Sequence, residues 1–247
     1  MAKLTEEESK IKEESILYVK KNKKELIKIF TGDFSKNKKT DYNIGIFMAG
    51  SPGAGKTEFA SLLIDRPEYR ENLIHIDPDR IRSWLPSHLY KGNNSHVVQM
   101  ASTIGTEKIF DQVLKKRVNF ILDTTFSDLE KCRENIGRII KNGYSFMSIY
   151  FIYQDPIKAW EFTSARETIE GRRVDLDVFV EKYFSSREVV NALKKEFGKR
   201  LVVDLIFNNR DSKNPKKSVF NIASLEDHIN DGYDRQTLKK YLSKVDL

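Results

Sequence analysis

The chain has 247 residues, room for one sizeable α/β domain with additions, and a hydrophobic share of 39% that supports a packed core rather than a disordered polymer. Lysine plus arginine exceed aspartate plus glutamate by 43 to 36, and the net charge of +7 suits a handler of polyanions, although surplus lysine also serves plain solubility. Cys132 is the only cysteine, which excludes an intrachain disulfide, and His75, His88, His96 and His228 lack zinc-type spacing, so no structural metal site is expected.

Residues 5–30 are charged and carry Ile11, Ile16, Val19, Leu26, Ile27 and Phe30 at roughly helical spacing, the pattern of an amphipathic helix packed on the domain. The first residues lack the apolar core of a secretion signal, and the longest apolar run, 146–153, is too short to span a bilayer. A cytoplasmic protein without a membrane partner is expected. A polar stretch, 32–41, separates the helix from a buried strand at 44–49. Strand patterns at 73–77, 119–123, 145–153 and 201–207 then alternate with helical patterns near 56–65, 95–116, 128–142, 156–168 and 176–196. That alternation predicts an α/β fold, a parallel sheet covered by helices on both faces. Residues 209–217 read as an exposed loop and 225–247 as one or two charged terminal helices. The expected organisation is an N-terminal helix and linker (1–41), a core domain (42–208) and a C-terminal extension (209–247).

The first strand runs into Gly50-Ser51-Pro52-Gly53-Ala54-Gly55-Lys56-Thr57, which fits the pattern G-x-x-x-x-G-K-[ST] without a mismatch and opens a helix. Glycines let the backbone curl so that successive N–H groups face a phosphate, with the helix N-terminus adding its positive dipole end. All eight residues are therefore candidate nucleotide ligands, placing the fold in the P-loop NTPase class. Lys56 is expected on the β- and γ-phosphates of ATP or GTP, and the Thr57 hydroxyl on Mg²⁺. The second strand ends Asp77-Pro78-Asp79 at the sheet edge where ligands gather in doubly wound folds. One of these carboxylates can accept the proton of an attacking hydroxyl, or the pair can merely cap the next helix; since a cap needs only one, Asp79 is the candidate base. The third strand ends Asp123-Thr124-Thr125, where Asp123 is either an acid holding Mg²⁺ through water or another helix cap. Arg166, Arg172 and Arg173 flank a glycine, and such guanidinium groups can close over phosphoryl charge or simply be solvated.

Taken together, these residues resemble the zeta toxin family of bacterial P-loop kinases over about residues 47–208. That resemblance implies transfer of a γ-phosphate to a sugar hydroxyl of UDP-N-acetylglucosamine, and restraint by a small helical antitoxin. It implies further that Asp79 is the general base, that Glu107 and Thr125 contact the acceptor, and that Arg166 with Arg172 or Arg173 clamps phosphate. Spacing alone does not single out Glu107. Members using the amino-sugar nucleotide carry an arginine shortly after the third strand, where this chain reads Phe126-Ser127-Asp128. Without that bidentate cation, one phosphate or sugar anchor is missing. Two other readings remain open: a 5′-hydroxyl kinase acting on RNA or DNA, which the positive charge suits, and a nucleotide-gated switch. An aromatic-rich basic stripe typical of nucleic-acid platforms is lacking.

Overall fold

The computed structural model describes residues 4–32, 42–67, 73–170, 174–208 and 218–244, with the side chains of 167–170 left out. Arg172, Arg173 and the expected loop at 209–217 lie outside the described residues.

Six strands form one sheet in the order β2-β3-β1-β4-β5-β6: β1 (Ile44–Ala49), β2 (Leu73–Ile76), β3 (Asn119–Leu122), β4 (Phe146–Tyr153), β5 (Val202–Phe207) and β6 (Ser218–Val219). The first five are parallel, and β6 pairs antiparallel with β5 through Leu205 opposite Val219. Parallel strands covered on both faces must be apolar on both, and β1, Ile-Gly-Ile-Phe-Met-Ala, shows how the alternation divides. Ile46 and Met48 face a core shared with Ala60 and Leu63 of α3 (Lys56–Ile64). Phe47 and Ala49 face the opposite, larger core. That second core takes buried residues from α2 (Lys23–Thr31), α5 (Gln99–Lys116), α6 (Leu129–Lys141) and α8 (Leu176–Phe197). Cys132 of α6 is buried in it, and burial pushes its thiol up to about 12. A third apolar cluster joins α7 (Pro156–Glu170), α8 and α9 (Arg235–Leu242) through Ala159, Phe179, Leu238 and Leu242.

The single helix expected over 5–30 is in fact two, α1 (Glu6–Lys21) and α2, broken at Asn22. The Asn22 side chain donates to the Tyr18 carbonyl at 3.0 Å, beside the backbone N–H of Asn22 at 2.9 Å, closing off α1, and the break turns Leu26 and Phe30 into the core. In the C-terminal extension, the described helix is limited to α9. Residues 225–234 form a turn at 226–228 followed by irregular chain, and Leu225 and Ile229 are nevertheless buried. That segment is pinned by Arg187 of α8, which pairs with Asp231 at 2.6 Å and with Glu226 at 2.5 Å. The helix expected from residue 95 starts at Gln99, and the short α4 (Pro78–Trp84) follows β2 directly.

Candidate functional site

Beyond the carboxyl end of β1 the chain enters Gly50-Ser51-Pro52-Gly53-Ala54-Gly55 and leaves it at the first turn of α3. Gly53 and Gly55 have φ of 71° and 89°, the left-handed region glycine adopts without penalty, which wraps the loop tightly. Three neighbours fix the wrap. Gly50 N–H donates to the Thr125 carbonyl at 3.4 Å, and buried Asn208, at the end of β5, donates to the Ala54 carbonyl at 2.7 Å. Against α7 the fit leaves no room for a side chain: a Cβ on Gly53 would overlap the Ala159 carbonyl oxygen and lie 2.6 Å from Thr163 Oγ1. Lys56 Nζ donates to the carbonyls of Gly50 and Ser51 at 3.0 and 2.7 Å, arching over the loop.

From that loop, Thr57 Oγ1 donates to Asp123 Oδ2 at 2.8 Å. Parallel pairing of β2 with β3 sets Ile76 beside Leu122, and Asp123 N–H donates to the Ile76 carbonyl at 2.9 Å, so Asp77 and Asp123 leave adjacent strands side by side. The structure shows which of these acids cap helices. Asp77 caps α4 by accepting from Asp79 N–H at 2.8 Å, whereas the cap of α6 is Asp128, accepting from Lys131 N–H at 3.0 Å, and Asp123 caps nothing. Burial, reinforced by the negative charges of Asp123 and Asp79, pushes the Asp77 carboxyl above the ordinary aspartate range.

Asp79 sits in the first turn of α4, its carboxylate bonded to the buried Arg82 guanidinium, which donates onward to Gln99 Oε1 at 2.6 Å. Arg82 and Gln99 were not singled out by sequence, although an arginine one turn after a candidate base is a readable signal. Arg166 of α7 reaches Glu58 of α3 at 3.1 Å, which brings it to the first turn after the P-loop. Thr125 adjoins the loop through its carbonyl, and its hydroxyl lies 2.9 Å from Ser127 Oγ. Thr124 Oγ1 accepts from Phe126 N–H at 2.8 Å, an arrangement that holds Phe126 at φ 55° with its ring packed on Phe47. Glu107, half-buried on α5, is held by Lys131 at 2.9 Å and Arg138 at 2.7 Å. Burial alone would raise its carboxyl, but the hydrogen bonds from those two cations hold it below the ordinary glutamate range.

One further residue joins the cluster: His75, two before Asp77 on the same side of β2, lies 3.9 Å from Asp123 Oδ2. An H-x-D sequence at a strand end is the signal that would have found it; counting histidine and cysteine spacings along the chain did not.

The model of the family described as Zeta toxin matches residues 31–221. Among solved structures the chain is similar to one from the PezAT chromosomal toxin-antitoxin system of Streptococcus pneumoniae, with a TM-score of 0.64 and 17% identity over 98% of this chain and 95% of that one. It is also similar to a chain of AvrRxo1-ORF1:-ORF2 with ATP, at TM-score 0.58 and 13% identity over 85% of this chain and 65% of that one. At such identities the likeness is one of fold. No curated protein matches the sequence. Among the described residues no helix is long and apolar enough to cross a membrane.

Proposed function

The chain belongs to the zeta toxin family, and on that premise we propose that it transfers the γ-phosphate of ATP or GTP to a hydroxyl of a small nucleotide-like acceptor, with a nucleotide sugar such as UDP-N-acetylglucosamine as the first candidate. The observation that carries the reading is the bond from Thr57 to Asp123 across the mouth of a fully formed P-loop. A hydroxyl and a carboxylate 2.8 Å apart are hard oxygen donors, the set that Mg²⁺ takes, so the residues present fit that ion. When bound there it neutralises phosphate charge.

The protein's own residues supply the remainder. Backbone N–H groups of Gly53, Gly55, Lys56 and Thr57 cradle the phosphates, and the Lys56 side chain exchanges the Gly50 and Ser51 carbonyls for phosphate oxygens. Asp79 accepts the proton of the attacking hydroxyl, and its bond to Arg82 orients the carboxylate. Arg166, with Arg172 or Arg173, balances charge on the transferring group. Thr125 is assigned to the acceptor, beside the P-loop. Glu107 takes part in acceptor binding by exchanging Lys131 or Arg138 for the ligand, since both cations now occupy it. A small helical antitoxin is the proposed protein partner.

The test is incubation with labelled ATP or GTP and a panel of nucleotide sugars, nucleosides and 5′-hydroxyl oligonucleotides, with the product identified by mass spectrometry. A labelled nucleotide sugar or nucleotide that disappears with Lys56→Ala is the expected result. Label on the oligonucleotide alone would replace the acceptor assignment, and release of free phosphate with no labelled acceptor would make the protein a switch.

A further inference from the structure

The His75, Asp77 and Asp123 cluster contains more than Mg²⁺ chemistry requires. One donor atom from each lies within 4.8 Å of the others. His75 Nε2 is buried, with its side chain 10% exposed, and finds no hydrogen-bond partner among the described residues. Buried polar atoms are nearly always satisfied, so an orphan nitrogen aimed at two carboxylates calls for a ligand. Two of its residues, His75 and Asp77, reach a cleft of about 630 Å³ that Thr57, Ser61 and Arg80 also help to line, between α3, the edge strand β2 and the end of α2.

We propose that His75, Asp77 and Asp123 form a binding site for a first-row transition-metal dication such as Mn²⁺ or Co²⁺, filled from this cleft without nucleotide. Mg²⁺ is served by oxygen donors; an imidazole nitrogen beside two carboxylates raises affinity for transition metals far more than for Mg²⁺. Metal bonds of roughly 2.0–2.2 Å place neighbouring ligand atoms about 3–3.5 Å apart, so the 3.9 Å between His75 Nε2 and Asp123 Oδ2 closes with a small side-chain adjustment. Asp77 and Asp123 come from ends of hydrogen-bonded strands, so two of the three ligands are fixed by the sheet itself. The site also shares an atom with the P-loop. Asp123 Oδ2 accepts the Thr57 hydroxyl, and a dication bound to that oxygen competes for it. An ion held here therefore acts on the nucleotide site through Asp123.

The experiment uses the full chain, tag-free and stripped with chelator, titrated with CoCl₂ in the absence of nucleotide and followed by visible absorption. Saturable 1:1 binding is expected, surviving a hundredfold excess of MgCl₂, with the Kd raised at least tenfold in His75→Asn and in Asp77→Asn and unchanged in Lys56→Ala. Because His75→Asn can disturb packing, the unmodified protein supplies a second measurement: loaded with Mn²⁺, it should show nitrogen modulation from an imidazole ligand in its electron spin echo. Binding by a folded His75→Asn equal to wild type, displacement of Co²⁺ by equimolar Mg²⁺, or no imidazole nitrogen on bound Mn²⁺ would each overturn the proposal. None of these readouts depends on phosphate transfer, so failure here leaves the kinase reading standing, and the reverse.

Discussion

Replacing Gly53 by alanine tests how the P-loop is seated. Two costs arise, and the structure lets them be separated. The first is backbone strain, since a φ of 71° costs an L-residue about 1–2 kcal/mol. The second is collision. The new Cβ falls on the Ala159 carbonyl, which is main chain of α7 and already accepts from Thr163 Oγ1 at 2.7 Å, so neither atom can yield without moving the helix. Overpacking of this kind adds about 1–3 kcal/mol, for a total of roughly 2–5 kcal/mol. Gly232 is the control, with φ of 70° and nothing within 4 Å of a built Cβ, so Gly232→Ala carries strain alone. In a domain of this size each kcal/mol shifts Tm by about 2–4 °C. Thermal unfolding should therefore show a loss of about 2–8 °C for Gly232→Ala and several degrees more for Gly53→Ala. The two should also differ in kind. Arg166 lies about two helical turns beyond Ala159, so displacing α7 shifts that arginine relative to the phosphate cradle. Calorimetry should show weakened ATP binding in Gly53→Ala, with ATP affinity of Gly232→Ala equal to wild type. Equal Tm losses and equal ATP affinities would refute the argument that the loop is seated by contact with α7.

Asp79→Asn keeps shape but removes the proton acceptor; acceptor phosphorylation should fall by roughly 10²–10⁴-fold with ATP affinity nearly unchanged, both measured on one preparation, and unimpaired transfer would remove Asp79 from the mechanism. Arg166→Ala should lower turnover at least about tenfold, with a smaller effect on ATP affinity in calorimetry, because a clamping guanidinium acts mainly on charge developing in transfer. Arg187→Ala strands Asp231, buried and left without its cation, and should cost about 3–5 kcal/mol in urea unfolding; Arg187→Met, which keeps the apolar stem but not the charge, should cost nearly as much, and a markedly smaller loss would show that packing rather than charge matters. For Glu107, a carboxyl held below its ordinary value contributes stability that is present above pH 4.5 and is lost as pH falls through the lowered folded value. Glu107→Gln should thus cost about 1 kcal/mol at pH 7, and the gap to wild type should shrink in melts towards pH 3.

What the sequence made legible was local. The run from Ile44 to Thr57 carries its strand, its loop and its helix start in consecutive residues, so both fold class and nucleotide cradle can be read without knowing any distant contact. The acids at 77, 79 and 123 are legible for the same reason, each ending or following an apolar run. What was not legible depends on pairings across the chain. Asn22 sits between two helix-compatible segments without a proline or glycine, and the break is decided by where Leu26 and Phe30 must pack. Strand β6 has two residues and exists because β5 offers it an edge. That Asp128 rather than Asp123 caps α6 could be seen only in the folded chain. His75 gained meaning only when the β2 and β3 pairing carried Asp123 to it.

Cys132 gives the unmodified chain a single-site clock. Thiol reagents attack the thiolate, and a group titrating at about 12 is ionised to only about one part in 10⁵ at neutral pH, besides being covered by the core. Labelling must then wait for α6 to lift from the sheet, and its rate counts those openings. Because the helix cap of α6 lies only a few residues beyond Thr125, whose carbonyl receives the Gly50 N–H, the same clock should run more slowly when the phosphate cradle is filled. Nucleotide occupancy could then be followed by mass spectrometry as slower addition of a single maleimide, with no engineered probe and no assumption about the acceptor.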